Sequence, residues 1–225
     1  MMTFCLFYGI ILQIYLRGYV MIGSNITNID EVKSINFSGT CGKLIVHEDD
    51  IQSPTIKCKR GLFSYHNSGN VEIVSFLDEL KIYTTSGSAE LLVPRGFKME
   101  EINVSGTSFD IDISDVSIKK INVRATDVKM LLSRLRLEEL RSVSTSGIIT
   151  LKDYDSIKTY LSIVGGYINA EILNYYQNYR MNVSREAKVV IEHGEYENDF
   201  NDTFINEFEA HEVGGKVRVL FKGLR

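Results

Sequence analysis

Apolar and polar residues alternate with a period of two along most of the chain. Between residues 102 and 113, the apolar side chains of Ile102, Val104, Ile111 and Ile113 are each followed by a polar residue. Such alternation is typical of β-strands that bury one face, whereas a helix places apolar residues every three or four positions. The pattern therefore predicts an all-β chain with little helix.

The alternating segments recur around small residues at a regular interval of about 19 residues, the kind of fixed period that marks a repeat architecture. One copy reads EINVSGTSFDIDI around Gly106, and a copy without glycine, KINVRATDVKMLL, is centred one interval later. Gly147 and Gly166 are separated by the same interval, and Gly69 and Gly87 by one position less. The predicted corner glycines are Gly39, Gly69, Gly87, Gly106, Gly147, Gly166 and Gly215.

This regular interval, together with the local period of two, predicts a β-solenoid. A single coil cannot bury its apolar face alone, but eight or nine stacked coils would form a continuous core. The presence of only 2 Pro residues agrees with this, because proline removes a hydrogen-bond donor from a β ladder. We predict one β-solenoid domain over residues 23–225. Residues 128–140 also fit a helix, but their place in the repeat favours a strand, a corner and a second strand.

Charge is distributed unevenly along the chain. The net charge is −4, yet the segment 192–212, the acidic insert, contains eight acidic residues and no Lys or Arg. Within this acidic insert, Phe200, Phe204 and Phe208 lie four positions apart, which predicts one short helix near 199–211 with three rings on one face. We expect these rings to contact a partner or to cap an end of the stack.

The N-terminal segment, residues 1–22, is strongly apolar but does not match a standard targeting signal. No basic residue precedes Phe4, no small-residue cleavage site follows, and Arg17 interrupts the apolar run. Three interpretations remain open: a weak anchor or signal, a buried cap on the first coil, or a gene start that is really at Met21. The protein would be cytoplasmic in the last case, and otherwise membrane-associated through residues 4–22 or at the cell surface.

The repeated units resemble those of the toastrack, or putative-adhesin, family of β-solenoid domains. The resemblance is carried by the alternating segments that end in Ser-Gly, at Ser38-Gly39, Ser86-Gly87 and Ser105-Gly106, and by the segment 143–147. It covers roughly residues 29–222. The resemblance implies a stacked β-coil fold without an established catalytic site and a scaffolding or interaction role, often at a membrane or surface. The unclear N-terminal segment and the acidic insert depart from the family pattern.

Candidate chemistry is sparse. His193, Glu195 and Glu197 alternate and could share one strand face, which makes them weak candidates for a Ca²⁺, Mg²⁺ or Zn²⁺ site, although no recognised metal-binding spacing is present. A solvated acidic loop is the other interpretation. We therefore expect no cofactor and no catalytic residues.

Two further sets of residues could carry chemistry on the stack. Carboxylates could converge on neighbouring coils, as in β-helical enzymes that act on polysaccharides, or they could be solvent-facing residues. These residues are Asp110, Asp112, Asp115, Asp127, Asp153 and Asp155. The lysines that flank Cys58 could make it a reactive thiol, while a structural role is the alternative.

These observations favour a non-catalytic structural or protein-interaction module, adhesin-like in character. It would bind a protein partner or self-associate through an end of the solenoid or the acidic insert. The alternative is a β-helical carbohydrate-active protein or a metal-dependent glycan-binding protein. Charge disfavours nucleic-acid binding, because outside the acidic insert 25 basic residues face 21 acidic ones. The densest basic stretch, 119–141, could instead dock the acidic insert.

Overall fold

The protein consists almost entirely of β-strands. The computed structural model describes residues 20–22, 26–27, 32–60, 62–63, 67–68, 71–76, 79–192 and 206–223. The strands are β1 (Val20–Ile22), β2 (Ile26–Thr27), β3 (Ser34–Asp49), β4 (Thr55–Arg60), β5 (Leu62–Phe63), β6 (Asn67–Ser68), β7 (Val71–Phe76), β8 (Glu79–Thr84), β9 (Gly87–Pro94), β10 (Lys98–Ser114), β11 (Ser117–Ser133), β12 (Arg136–Ile172), β13 (Tyr179–Val183), β14 (Lys188–Ile191), β15 (Asn206–Glu212) and β16 (Lys216–Phe221). One 3₁₀ turn, Tyr176–Asn178, precedes β13. The predicted all-β class is confirmed.

The strands form stacked parallel coils, and the length of one coil equals the sequence period where the repeat is regular. Ile102 of β10 pairs with Ile121 of β11, and Leu132 of β11 pairs with Leu151 of β12. Both pairs have the sequence separation of the repeat, so one period is one step of the stack. This register confirms the β-solenoid prediction, including the copy centred on Ala125 that lacks a glycine.

The coils do not stack in the order of the chain. The strand pairings place the eight described coils in the following spatial order: coil 1 (79–94), coil 2 (34–49), coil 3 (98–114), coil 4 (117–133), coil 5 (136–152), coil 6 (155–172), coil 7 (206–221) and coil 8 (179–191). Coil 2 precedes coil 1 in sequence, and coil 7 follows coil 8. The repeat pattern alone does not predict these two exchanges, because every coil offers the same alternating face.

The two ends of the stack differ. At the coil 1 end, β7 pairs antiparallel with β8, and β4 pairs antiparallel with β9. At the other end, β13 and β14 of coil 8 pair in parallel with β15 and β16 of coil 7. Antiparallel strands therefore end one side of the stack, while a parallel coil ends the other within the described residues.

Part of the apolar N-terminal segment belongs to the sheet. Residues 20–22 form β1, in which Met21 pairs with Ile73 of β7. Residues 1–19 lie outside the described residues, so the three interpretations of that segment stay predictions. Within the described ranges, no helix has the length and hydrophobicity needed to cross a bilayer.

The core runs along the inside of the stack as columns of apolar side chains. Ile102, Ile121 and Leu140 form one such column on coils 3 to 5, and all three are fully buried. Full burial of an aliphatic side chain contributes roughly 1.5–3 kcal/mol relative to exposure. The stack is therefore stabilised by many equivalent columns of apolar side chains.

The helix prediction for residues 199–211 is wrong in the part that the structure describes. Residues 206–212 form strand β15, and Phe208 is fully buried in the core of coil 7. The i, i+4 spacing of the rings resembled a helical face, but Phe208 and Ala210 also alternate with Glu207 and Glu209 as in a strand. Pairing on both sides of β15 favours the strand. Residues 128–140 are also strand, a short corner and strand, as the repeat predicted.

Candidate interaction surface

The predicted corner glycines fall into two columns. Gly39 pairs with Gly106, and Gly106 pairs with Ala125, which gives the first column. Gly147 instead pairs with Val128, three positions further along coil 4. The longer interval between Ala125 and Gly147 is thus one regular step plus a shift of three positions. Gly69 lies outside the described residues, so its predicted corner stays a prediction.

Close backbone contact explains why glycine occupies the second column. A Cβ atom on Gly166 would lie 2.0 Å from the carbonyl oxygen of Gly147, and one on Gly215 would lie 1.8 Å from that of Gly166. The φ angle of Gly166, +156°, is also one that residues with side chains rarely adopt. A side chain at either position would therefore force neighbouring coils apart.

An exposed ridge of β-branched side chains runs along the corner, and the corner prediction did not include it. It follows the first glycine column by one residue, and its threonines on coils 2 to 5 are Thr40, Thr107, Thr126 and Thr145. On coils 6 and 7 the ridge continues with Val164 and Val213, which are 52% and 71% exposed. The sequence signal was available, because threonine recurs at 107, 126 and 145 with the period of the repeat.

Opposite charges alternate along another outward column. Lys120 pairs with Glu101 on one side and with Glu139 on the other, and its Nζ atom lies 3.9 Å from Glu139 Oε2. Further along, Glu207 of coil 7 lies between Lys158 of coil 6 and Arg180 of coil 8. Cross-strand pairs of opposite charge stabilise a register by roughly 0.2–1 kcal/mol each. Glu207 therefore acts inside the stack rather than in a free acidic insert.

Two of the carboxylates considered for catalysis form hydrogen bonds with an arginine and a serine and do not converge on each other. Asp115 accepts two hydrogen bonds from Arg134 at 2.5 Å, and Asp127 accepts one from Ser146 at 2.8 Å. The hydrogen bonds from Arg134 lower the pKa of the Asp115 carboxyl. A general acid needs a raised pKa, so this shift is opposite to the one that catalysis requires.

Asp153 and Glu171 do converge, but on a lysine. Lys222 Nζ lies 2.7 Å from Asp153 Oδ1 and 3.1 Å from Glu171 Oε2. The hydrogen bonds to these carboxylates raise the pKa of Lys222 and keep it charged. The cluster ties the end of coil 7 to coils 5 and 6, which is a structural role.

The predicted metal candidates His193, Glu195 and Glu197 lie outside the described residues and stay predictions. Among the described side chains, no group of three or more His, Cys, Asp or Glu residues could hold a metal ion.

The basic stretch 119–141 is largely engaged with neighbouring side chains. Lys119 lies 2.6 Å from Glu100, and Arg134 is bonded to Asp115. The guanidinium of Arg141 lies 4.7 Å from the centre of the Tyr160 ring, a cation–π distance. These contacts reduce the positive charge that the stretch could offer to the phosphates of a nucleic acid.

Burial works against a reactive thiol at Cys58. Its neighbours Lys57 and Lys59 suggested a lowered pKa, but desolvation raises the pKa of the Cys58 thiol to about 11. Cys41 and Cys58 are both free thiols in the structure. The structural interpretation of Cys58 is therefore the one that the burial supports.

The end coil carries apolar side chains that the inner coils would bury. Met181 and Val183 of β13 pair with Phe208 and Ala210, which are fully buried, yet both are only partly buried themselves. Val189 of β14 is likewise partly buried beside a fully buried residue of coil 7. An inward-facing column that is covered on one side only is a surface for further packing, within the part of the chain that the structure describes.

One protein-family model matches a region of the chain that contains coils 1, 3, 4, 5 and 6 entirely. The family model described as Toastrack DUF4097 matches residues 57–187, more than half of the chain. The chain belongs to the Toastrack family. The resemblance inferred from the repeated Ser-Gly units is thereby confirmed, and this Toastrack chain extends the matched region with coils 2 and 7.

Solved structures that match this Toastrack chain are distant in sequence. A putative cell adhesion protein from Clostridium sporogenes is 11% identical over 91% of this chain and 99% of its own, with a TM-score of 0.46. A putative adhesin from Parabacteroides merdae is 14% identical over 91% and 97%, with a TM-score of 0.34. A putative lipid binding protein from Parabacteroides distasonis is 13% identical over 91% and 97%, also at 0.34. No curated protein matches the chain.

Proposed function

We propose that this Toastrack protein is a non-catalytic, adhesin-like interaction module that self-associates through the coil 8 end of its stack. The observation that supports the proposal is the half-covered apolar column of Met181, Val183 and Val189, beside fully buried neighbours on coil 7. Parallel strand edges at an end that no described strand covers can pair with another chain, and the apolar side chains beneath them gain by burial. A second copy of the chain offers a matching end.

Charged side chains at the coil 8 end restrict how two copies can meet. Arg180 of coil 8 is exposed on the outward column, next to Glu207 of coil 7. If two copies meet through their coil 8 ends, the end strands of the two copies can run in opposite directions. The Arg180 side chain would then lie near the edge of the partner's coil 8. Polar and charged groups at the rim of such a contact set the register, while the apolar column supplies most of the binding free energy.

Charged substitutions at the end coil test the proposal. We expect Met181→Lys together with Val189→Lys to reduce self-association in sedimentation velocity and light scattering. The thermal midpoint should change little, because both side chains are already partly exposed. Leu131→Lys is the matched control, because Leu131 is 37% exposed on coil 4, in the middle of the stack. A wild-type protein that stays monomeric at all concentrations, or an end-coil variant that associates like the control, would overturn the proposal.

Phe200 and Phe204 lie outside the described residues, and their role as contacts to the end of the stack or to a partner belongs to the same proposal. The segment that contains them connects the end of β14 on coil 8 to the start of β15 on coil 7. A Phe200→Ser/Phe204→Ser variant should lose thermal stability if the rings pack on their own stack, or lose association if they contact a partner. If neither quantity changes, the proposed role of these rings is wrong.

A further inference from the structure

A pocket of about 280 Å³ with both polar and apolar lining residues opens on the side of the stack, where coils 5, 6 and 7 begin. Its polar lining consists of Arg136, Asp155, Ser156, Asn174, Asn178 and Asn206. Asn174 and Asn178 lie four positions apart in the connection between coils 6 and 8, and Asn206 begins coil 7. The fold therefore places the Asn206 amide beside two amides that are distant from it in sequence.

The amide of Asn206 is available for hydrogen bonding in the pocket. The residue is 6% exposed, and its side chain makes no hydrogen bond within the part of the chain that the structure describes. Its amide atoms are not among the fully buried polar atoms without a partner, and the side chain forms part of the pocket wall. The Asn206 amide can therefore donate to and accept from a ligand in the pocket.

The other two amides are held in place and keep one free group each. Asn174 Oδ1 accepts a hydrogen bond from Asn178 Nδ2 at 2.7 Å and another from the Tyr175 amide at 2.8 Å. This arrangement leaves the amino group of Asn174 as a donor and Oδ1 of Asn178 as an acceptor. Together with Asn206, the pocket can both donate and accept hydrogen bonds.

A buried tyrosine fixes the carboxylate of the pocket. The Tyr179 hydroxyl donates a hydrogen bond to Asp155 Oδ1, and it accepts one from the Ser156 amide at 3.3 Å. Tyr179 is 2% exposed, and burial and the Asp155 carboxylate raise the pKa of its hydroxyl. The phenol therefore stays protonated, and Asp155 keeps its second oxygen for another partner.

The pocket is balanced in charge and has one apolar wall. Arg136 is exposed at the rim, where it forms no salt bridge with a described carboxylate, and Asp155 supplies the opposite charge. Ile157, 47% exposed, presents an apolar surface beside these groups. A neutral ligand with several neighbouring hydroxyls suits this set, because carboxylate and amide groups bind hydroxyls in pairs while C–H groups pack on the aliphatic wall.

We propose that this pocket binds one neutral sugar unit, such as a hexose at the end of a glycan. Its volume lies just below the usual range for small-ligand sites, which fits a single ring rather than an extended oligosaccharide. The sugar site lies on the side of the stack and does not depend on self-association through coil 8. No metal ion is needed, because the donors and acceptors are side chains already present.

Ligand-observed NMR with a panel of methyl hexosides, methyl N-acetylhexosaminides and methyl hexuronides, the last of which carry a carboxylate, tests the sugar site. We expect at least one glycoside to bind the full-length protein in a saturable manner. Asn178→Ala and Arg136→Ala should each weaken that binding at least tenfold, with thermal midpoints near the wild-type value. Arg124→Ala is the control, because Arg124 is also exposed but lies on coil 4, away from the pocket.

Three results would overturn the sugar site. The first is that no glycoside binds in a saturable manner. The second is that binding persists unchanged in both pocket variants. The third is that only ligands with a carboxylate bind, which would identify Arg136 as an anion site and exclude a neutral sugar. Oligomeric state is measured in the same samples, so a failure of the coil 8 proposal is distinguishable from a failure of this one.

Discussion

Replacement of Gly166 by alanine is expected to lower the free energy of unfolding by about 3 kcal/mol. The added Cβ atom would lie 2.0 Å from the carbonyl oxygen of Gly147, so coils 5 and 6 would have to separate at the corner. The φ angle of +156° adds backbone strain for any residue with a side chain. Denaturant unfolding monitored by circular dichroism measures the loss.

The neighbouring glycine provides a matched control for Gly166. A Cβ atom on Gly165 would have its nearest neighbour, the Thr145 carbonyl oxygen, at 3.9 Å, an ordinary contact distance. Gly165→Ala should therefore change stability by no more than about 0.5 kcal/mol. Equal effects of the two substitutions would contradict the close stacking of the glycine corners.

Replacement of Phe208 by alanine is expected to cost about 3–5 kcal/mol in unfolding free energy. Phe208 is fully buried on β15, between Thr159 of coil 6 and Met181 of coil 8 in the pairing register. Removal of the ring leaves a cavity that the surrounding coils can fill only in part. Chemical denaturation measures the effect, with Val213→Ala as the comparison, because Val213 is 71% exposed on the same coil.

The Phe208 experiment also distinguishes a core residue from a partner contact. The sequence pattern grouped Phe208 with Phe200 and Phe204 as rings that contact a partner or an end of the stack. A partner contact would give a stable variant with altered association. A core residue gives an unstable variant, and we expect the second result. A Phe208→Ala protein as stable as wild type would show that the ring is not part of the core.

The fold could be predicted from the repeat, because every copy has the same pattern of apolar inward residues and small corner residues. Each inward position, such as Ile102 or Ile121, needs an apolar side chain, and each tight corner needs a small residue or glycine. Alternation with a period of two and a constant step from coil to coil therefore predict the register without any structural information. The copy around Ala125 follows the same register although it lacks a glycine, because Ala125 pairs directly with Gly106.

The order of the coils could not be predicted for the same reason. Coils that all present an alternating apolar face are interchangeable by pattern, so nothing in the sequence states that β15 lies between β12 and β13. The charge of the acidic insert has a similar effect on the prediction. Glu207 and Glu209 look like part of a solvated acidic segment, but they are the outward positions of a core strand. Alternation predicts this strand better than charge does, because each of these acidic residues is followed by a buried one.

The sugar pocket was also beyond the reach of sequence reasoning. Asn174, Asn178 and Asn206 show no recognisable spacing, and they meet only because coil 7 is inserted beside coil 6. Asp155 is one of the carboxylates that the sequence offers as candidates, but no sequence pattern links it to Tyr179, its hydrogen-bond partner. The pocket forms only because coils 7 and 8 are exchanged in the stack. The repeat pattern predicts the coils but not their order, so it does not predict the pocket.

Both the exposed end and the pocket depend on the order in which the coils stack. Disulfide trapping of cysteine pairs, in a background with the native cysteines replaced by serine, measures that order. Neighbouring strands lie about 4.8 Å apart, within disulfide reach, whereas strands two coils apart lie beyond it. We expect Glu207→Cys to cross-link with Lys158→Cys and with Arg180→Cys, because β15 pairs with both strands. Cross-linking of Lys158→Cys directly to Arg180→Cys, with none to Glu207→Cys, would contradict the stack order.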